Sequence, residues 1–212
     1  MSDAARVHAA RVMAIDSGMP ATERPRTRAN AAERILHAAA TCVSALGAAR
    51  VSLQTVADEA GVSKALIHYH FRDRDELLTQ LIDVLTAEVV QGEEAALAGA
   101  APTMGLDALW TWLEEELRTG RLRGVVELSQ ERGARVQEAV LRSRDARRAQ
   151  ATLTIEQLFA ALSLRPRLPA PLLADVSLAF FDGLAIDYAV EPDANHRLRF
   201  DVFWLSVLSM AE

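Results

Sequence analysis

Apolar positions recur at steps of three and four along most of the chain, a period that predicts helices from one end to the other. The first clear run is Ala32, Ile35, Ala39, Val43 and Leu46, all on one helical face. Asn30 and Glu33 have the spacing of a capping box, in which each side chain satisfies an unpaired amide of the first turn. The helix is therefore predicted to begin at Asn30. Gly47 suits its end, because glycine takes a left-handed cap cheaply. Two short helices follow, over residues 52–60 and from Lys64 to about His70, with Ser52 and Ser63 as N-caps and Gly61 as the break. Asp73 and Glu76 repeat the capping-box spacing ahead of a long helix carrying Leu77, Leu78, Leu81, Ile82, Leu85 and Val89, which is expected to fade between Gly92 and Gly99.

Five more helices are predicted over residues 104–119, 122–132, 134–164, 170–190 and 194–210. Breaks fall at 99–102, 120, 133, 166–169 and 191–193, where Gly, Pro or acidic turn residues collect. No alternating run suggests a strand, so the fold class is all-α. The first twenty-five residues lack this periodicity and are expected to be a flexible N-terminal extension, with Met13 and Met19 as possible later starts.

Composition changes the picture in two ways. Half of the 212 residues are hydrophobic, enough for a sizeable core. The net charge of −6 excludes a general polyanion binder, so any nucleic-acid contact must come from a local basic patch. Cys42 is the only cysteine, which rules out an internal disulfide and a thiolate metal cluster and suits a reducing, cytoplasmic setting. No uncharged stretch reaches the ~20 apolar residues of a membrane span, so no membrane partner is expected. Cys42 and His37 are expected to pack within the first helix. His68 and His70 stand two apart, a spacing that does not converge on a metal around a helix. No nucleophile stands beside a base. No catalytic residue, metal or cofactor is therefore expected.

The informative stretch is SLQTVADEAGVSKALIHYHFRDRDELL, residues 52–78. Two short helices meeting at a fixed angle need a small residue at their contact (Ala57), a turn glycine (Gly61) and apolar plugs (Val56, Val62, Ile67). All are present at consistent spacing, as a helix-turn-helix over residues 52–71. With Ile35-Leu36-His37-Ala38-Ala39 before it and Arg74-Asp75-Glu76-Leu77-Leu78 after it, the stretch resembles the tetracycline-repressor (TetR) family. That family's loose pattern is I-L-x-A-A, then I-A-x-x-A-G-V-S-x-G-x-L-Y-x-Y-F-x-x-K-E-x-L. Departures include Ala65 for Gly, His68 for a phosphate-contacting Tyr, Arg74 for Lys and Asp75 for Glu.

The resemblance implies an N-terminal three-helix DNA-binding domain at 26–74 and a larger helical ligand-binding and dimerisation domain at 75–212. It implies a homodimeric transcriptional regulator, a repressor released from a palindromic double-stranded operator by an unknown small-molecule inducer. An all-helical adaptor or ligand-binding protein that has lost DNA binding stays open as the alternative. The helix from Lys64, the only lysine of the chain, would enter the major groove. Candidate DNA contacts are Arg28, Ser52, Ser63, Lys64, Ala65, Leu66, His68, Tyr69, His70 and Arg74. Candidate pocket residues, by their aromatic and apolar character, are Trp110, Leu113, Glu114, Leu117, Phe159, Phe181 and Tyr188. Candidate dimer residues, on the last two helices, are Val176, Phe180, Leu184, Phe200, Phe203, Trp204 and Val207. Arg142, Arg144, Arg147 and Arg148 spread over more than one face of a helix and are expected to be solvated.

Overall fold

The computed structural model describes the backbone of residues 23–212 and the side chains from residue 31 onward, residue 102 excepted. Nine α-helices are present among these residues: α1 (Glu23–Leu46), α2 (Leu53–Ala60), α3 (Lys64–His70), α4 (Arg74–Ala98), α5 (Gly105–Thr119), α6 (Arg121–Leu128), α7 (Ala134–Ala161), α8 (Ala170–Val190) and α9 (His196–Ser209). A 3-10 turn, Ala48–Arg50, links α1 to α2. Among the described residues there is no strand, only an isolated bridge between Pro166 and Ala211. Paired bonds of 2.9 Å between Arg165 and Glu212 tie the end of the chain to the α7–α8 loop.

The helix start predicted at Asn30 is wrong. Helix α1 is already formed at Glu23, so Asn30 and Glu33 lie inside it. Pro25 is no obstacle there, because the amides of a first helical turn have no partner to lose. The extension expected over 1–25 falls outside the described residues as far as residue 22, and residues 23–25 belong to α1. On α1, Ile35, Ala39 and Val43 are buried as their spacing requires, whereas Leu46 in the last turn is exposed.

Helix α4 ends at Ala98, inside the span 92–99 where it is expected to fade, and runs straight through Gly92. A Cβ on Gly92 would sit 3.1 Å from Trp112 Nε1, so the missing side chain admits the indole of α5 rather than ending the helix. All six apolar residues singled out on α4 are buried. Helix α4 packs most extensively on α7, then on α5 and α6, and is the axis of the larger bundle. One continuous apolar core runs from Ile35 of α1 to Val207 of α9. The division placed at residue 74 is thus crossed by a shared core.

Candidate nucleic-acid interface

The first four helices place a short helix outermost. Val56 and Ala57 of α2, Ile67 of α3 and Phe71 just beyond it are at most 1% exposed, against Ile35, Ala39 and Val43 of α1. Gly61 closes α2 in the left-handed conformation, φ 64° and ψ 38°, and Val62 N–H donates to Ala57 O at 3.0 Å. Ser52 Oγ accepts from Thr55 N–H at 3.1 Å and Ser63 Oγ from Leu66 N–H at 3.2 Å, so both predicted caps are in place. Asp73 Oδ1 accepts from Glu76 N–H at 2.9 Å and opens α4.

With Ile67 turned inward, α3 presents Lys64, Ala65, His68 and Tyr69 outward, and Tyr69 is 61% exposed. Leu66 and His70 are half-buried at the margins, and the Tyr69 and His70 rings meet edge to face at 5.2 Å. His68 Nδ1 lies 3.4 Å from Arg72 O. Ser52 and Ser63 are exposed beside this face; the Ser63 hydroxyl keeps its own proton to donate, while the Ser52 hydroxyl lies 2.9 Å from that of Thr55. The Arg28 side chain lies outside the described residues. Nine of the ten candidate contacts are therefore described, and eight of those line or border one surface.

Arg74 is the ninth, and it points inward. Its Nε donates to Val51 O at 2.9 Å, Nη2 to Ala48 O at 3.0 Å, and Nη1 and Nη2 both reach Glu131 at 2.9 Å. This two-pronged pair raises the guanidinium pKa and holds the Glu131 carboxyl below its ordinary value. Neighbouring contacts do similar work. Glu127 of α6 accepts from Ala48 N–H at 2.8 Å, and Arg135 of α7 bonds Asp73 at 2.5 Å. The Asp73 carboxyl is lowered first by the Glu76 amide and then by Arg135. Glu127, Glu131 and Arg135 thus fasten the reading head to the body. They went unnoticed as a group in the sequence because each stands more than fifty residues from its partner.

A three-helix head whose outer helix exposes Lys64 and Tyr69 over an apolar junction is built to lie in a groove of DNA. Residues 35–81 match the family model described as bacterial regulatory proteins, tetR family. Over this segment the chain is similar to the tetR family. Its function is DNA-binding transcriptional regulation. The fold is similar to that of a transcriptional regulator from Rhodococcus sp. Rha1, at 21% identity and TM-score 0.67, covering 85% of this chain and 97% of that one. It is also similar to a TetR transcription regulator from Haloarcula marismortui, at 19% identity and TM-score 0.68, covering 87% and 100%. A third similar structure is SmeT in complex with triclosan, at 19% identity and TM-score 0.62, covering 84% and 91%. No curated protein matches the sequence.

The candidate pocket residues are largely packed core. Leu113, Leu117, Phe159 and Phe181 are at most 4% exposed. Trp110 stacks edge-on to Phe200 at 5.3 Å, Tyr188 is half-buried beside His196, and Glu114 is exposed. None of the seven lines either of two clefts, one between α4, α6, α7 and α8, the other between α1, α4 and the α5–α6 junction.

The candidate dimer residues divide. Leu184, Phe200, Trp204 and Val207 are buried within the single chain, while Val176 is 48% exposed. Phe180 and Phe203 are half-buried and stack face to face at 4.2 Å where α8 meets α9. Around them Leu172, Leu198, Val202 and Leu205 are exposed.

Two further expectations need correction. Arg147 is not solvated but 8% exposed, paired with Asp182 of α8. His37 is exposed on α1 rather than packed, whereas Cys42 is buried and its thiol pKa is raised by that burial. No described helix is long and apolar enough to cross a membrane.

Proposed function

We propose that the chain is a cytoplasmic, homodimeric, non-enzymatic repressor that reads a palindromic operator with α3 and is released by a small molecule. The observation that carries this reading is the outward face of α3, with Lys64 and Tyr69 exposed above a junction at most 1% exposed. Lys64, Ala65, Leu66 and Tyr69 meet base edges in the major groove. Ser52, Ser63, His68, His70 and Arg28 hold phosphates and set the register. Two copies joined through the exposed apolar faces of α8 and α9 present two α3 helices to successive grooves, about 34–36 Å apart. The triclosan complex of the structurally similar SmeT supports the ligand response.

The test is selection of bound sequences from a random duplex pool with the full chain. A palindrome with half-sites about one helical turn apart is the expected result. Retention of all sequences alike, or of none, overturns the reading. Combined Lys64→Ala and Tyr69→Ala substitution is expected to abolish the selectivity.

A further inference from the structure

Between α4, α6, α7 and α8 lies a cleft of about 330 Å³, within the range of small-molecule sites. Ile82, Val125, Val126, Val140 and Leu178 give it apolar walls, and Arg144, Arg147, Asp175 and Asp182 give it charge. These charges are not balanced. Arg147 pairs with Asp182, and Asp175 is already held by Arg148, Nε to Oδ1 at 3.0 Å. Arg144, exposed at the mouth, has no carboxylate within ion-pair distance among the described residues. Counting Arg148, which pairs with Asp175 from beside the cleft rather than in its wall, three guanidiniums meet two carboxylates. Arg147 adds a second sign: it is more than nine-tenths buried, and its Nε is enclosed with no acceptor among the described residues. A buried guanidinium N–H without a partner costs free energy that an incoming acceptor recovers.

We propose that this cleft binds a small organic carboxylate. The acid group meets Arg144 and Arg147, and its short apolar body lies against Ile82, Val125, Val140 and Leu178. One residual positive charge matches a monoanion, and the planar guanidinium fork matches a carboxylate. The apolar walls disfavour a bare inorganic anion, which has nothing to place against them.

The cleft adjoins the fastening of the reading head. Val125, Val126 and Ser129 line it from α6 and the turn after it, and Glu127 and Glu131 in the same segment hold Ala48 and Arg74. A ligand wedged against α6 therefore works on the residues that set the head's position. That consequence rests on the ligand-release reading above. The binding site itself does not.

The experiment uses the full-length chain and needs no DNA for its first arm. Thermal unfolding and calorimetry are run with hexanoate and benzoate, and with hexanamide and benzamide, at about 10 mM and constant ionic strength. The acids are expected to raise Tm and bind, and the amides to do neither. Arg144→Gln, at an exposed and unpaired position, should weaken acid binding about tenfold while leaving the unliganded Tm unchanged. Ala179→Trp, which fills the cleft from α8 without removing a charge, should abolish it. Acids and amides acting alike, no acid binding, or full affinity retained in Arg144→Gln would each overturn the assignment. In the second arm the selected operator is titrated with and without a binding acid. Binding without loss of operator affinity would support the site and overturn the release reading.

Discussion

At the scale of single residues, Gly61 and Lys64 do different work eleven ångströms or less of chain apart (three residues at ~3.6 Å each). Gly61 holds φ 64°, and nothing lies within 4 Å of a Cβ placed there. Gly61→Ala therefore costs conformational strain alone, about 1 kcal/mol, readable as a lower urea midpoint at unchanged slope. Lys64→Ala removes an exposed charge that packs on nothing in the core. It should leave that midpoint in place and weaken binding to the selected operator, relative to random duplex, by about 1–3 kcal/mol. The turn at Gly61 and the outward placement of Lys64 were legible in the sequence, because a turn glycine and a capped, polar outer face are local signals. The role of Arg74 was not. Its place in the family pattern implies a DNA contact, yet its four bonds go to Val51, Ala48 and Glu131. Arg74→Ala is expected to lower stability by about 2 kcal/mol and to leave the salt slope as it was. A reduced slope with full stability would return Arg74 to the phosphates.

At the scale of elements, α4 and α7 share a polar seam that helical periodicity could not announce. Thr86 and Ser143 hydroxyls meet at 2.6 Å, and Thr154 Oγ1 donates to Glu93 Oε1 at 2.6 Å, all four residues being buried. Each pairing joins residues near sixty positions apart, so the sequence shows four polar residues on amphipathic helices and no more. Burial pushes the Glu93 carboxyl up to about 7, against the opposing pull of the Thr154 hydrogen bond and the Arg147 charge. The folded state then keeps a proton that the unfolded chain releases near pH 4.5. Stability from this group is greatest below that pH and declines as pH rises towards about 7, by about 3 kcal/mol in all. Glu93→Gln keeps an acceptor for Thr154 and cannot ionise. The variant should match the parent near pH 4 and exceed it in Tm at pH 8. Equal pH dependence in the two proteins would show that Glu93 is already charged when folded. Element boundaries tell a similar story. The α8 bounds were read correctly because Pro169 and Glu191 flank a clean apolar run, while the end of α4 could be read only to within 92–99, because Gly92 answers to Trp112 of another helix.

At the scale of the whole molecule, the last two helices were the least legible part of the site. A broad apolar stripe was visible on α9, but periodicity alone cannot assign its two sides to a core and to a partner. The folded chain separates the two sides: Phe200, Trp204 and Val207 are at most 2% exposed, and Leu198, Val202 and Leu205 at least 55%. On α8 the same division leaves Leu172 and Val176 outside and Leu184 within. A partner copy can only meet what the single chain leaves uncovered. Phe180 and Phe203, stacked at the α8–α9 contact, stand between the two outward stripes and continue both. An isologous pairing of these faces repeats each contact about the two-fold axis, so a charge placed at one position is introduced twice. Val176→Asp with Val202→Asp is therefore expected to give a folded monomer by light scattering, with an unchanged far-UV CD spectrum. Operator affinity should fall at least about a hundredfold, since one head alone holds only one half-site. Trp204→Ala, by contrast, empties the inside of the same helix and should cost about 3–5 kcal/mol of stability. If the aspartate pair leaves a stable dimer, the association runs through another surface and the outward stripes of α8 and α9 are free of it.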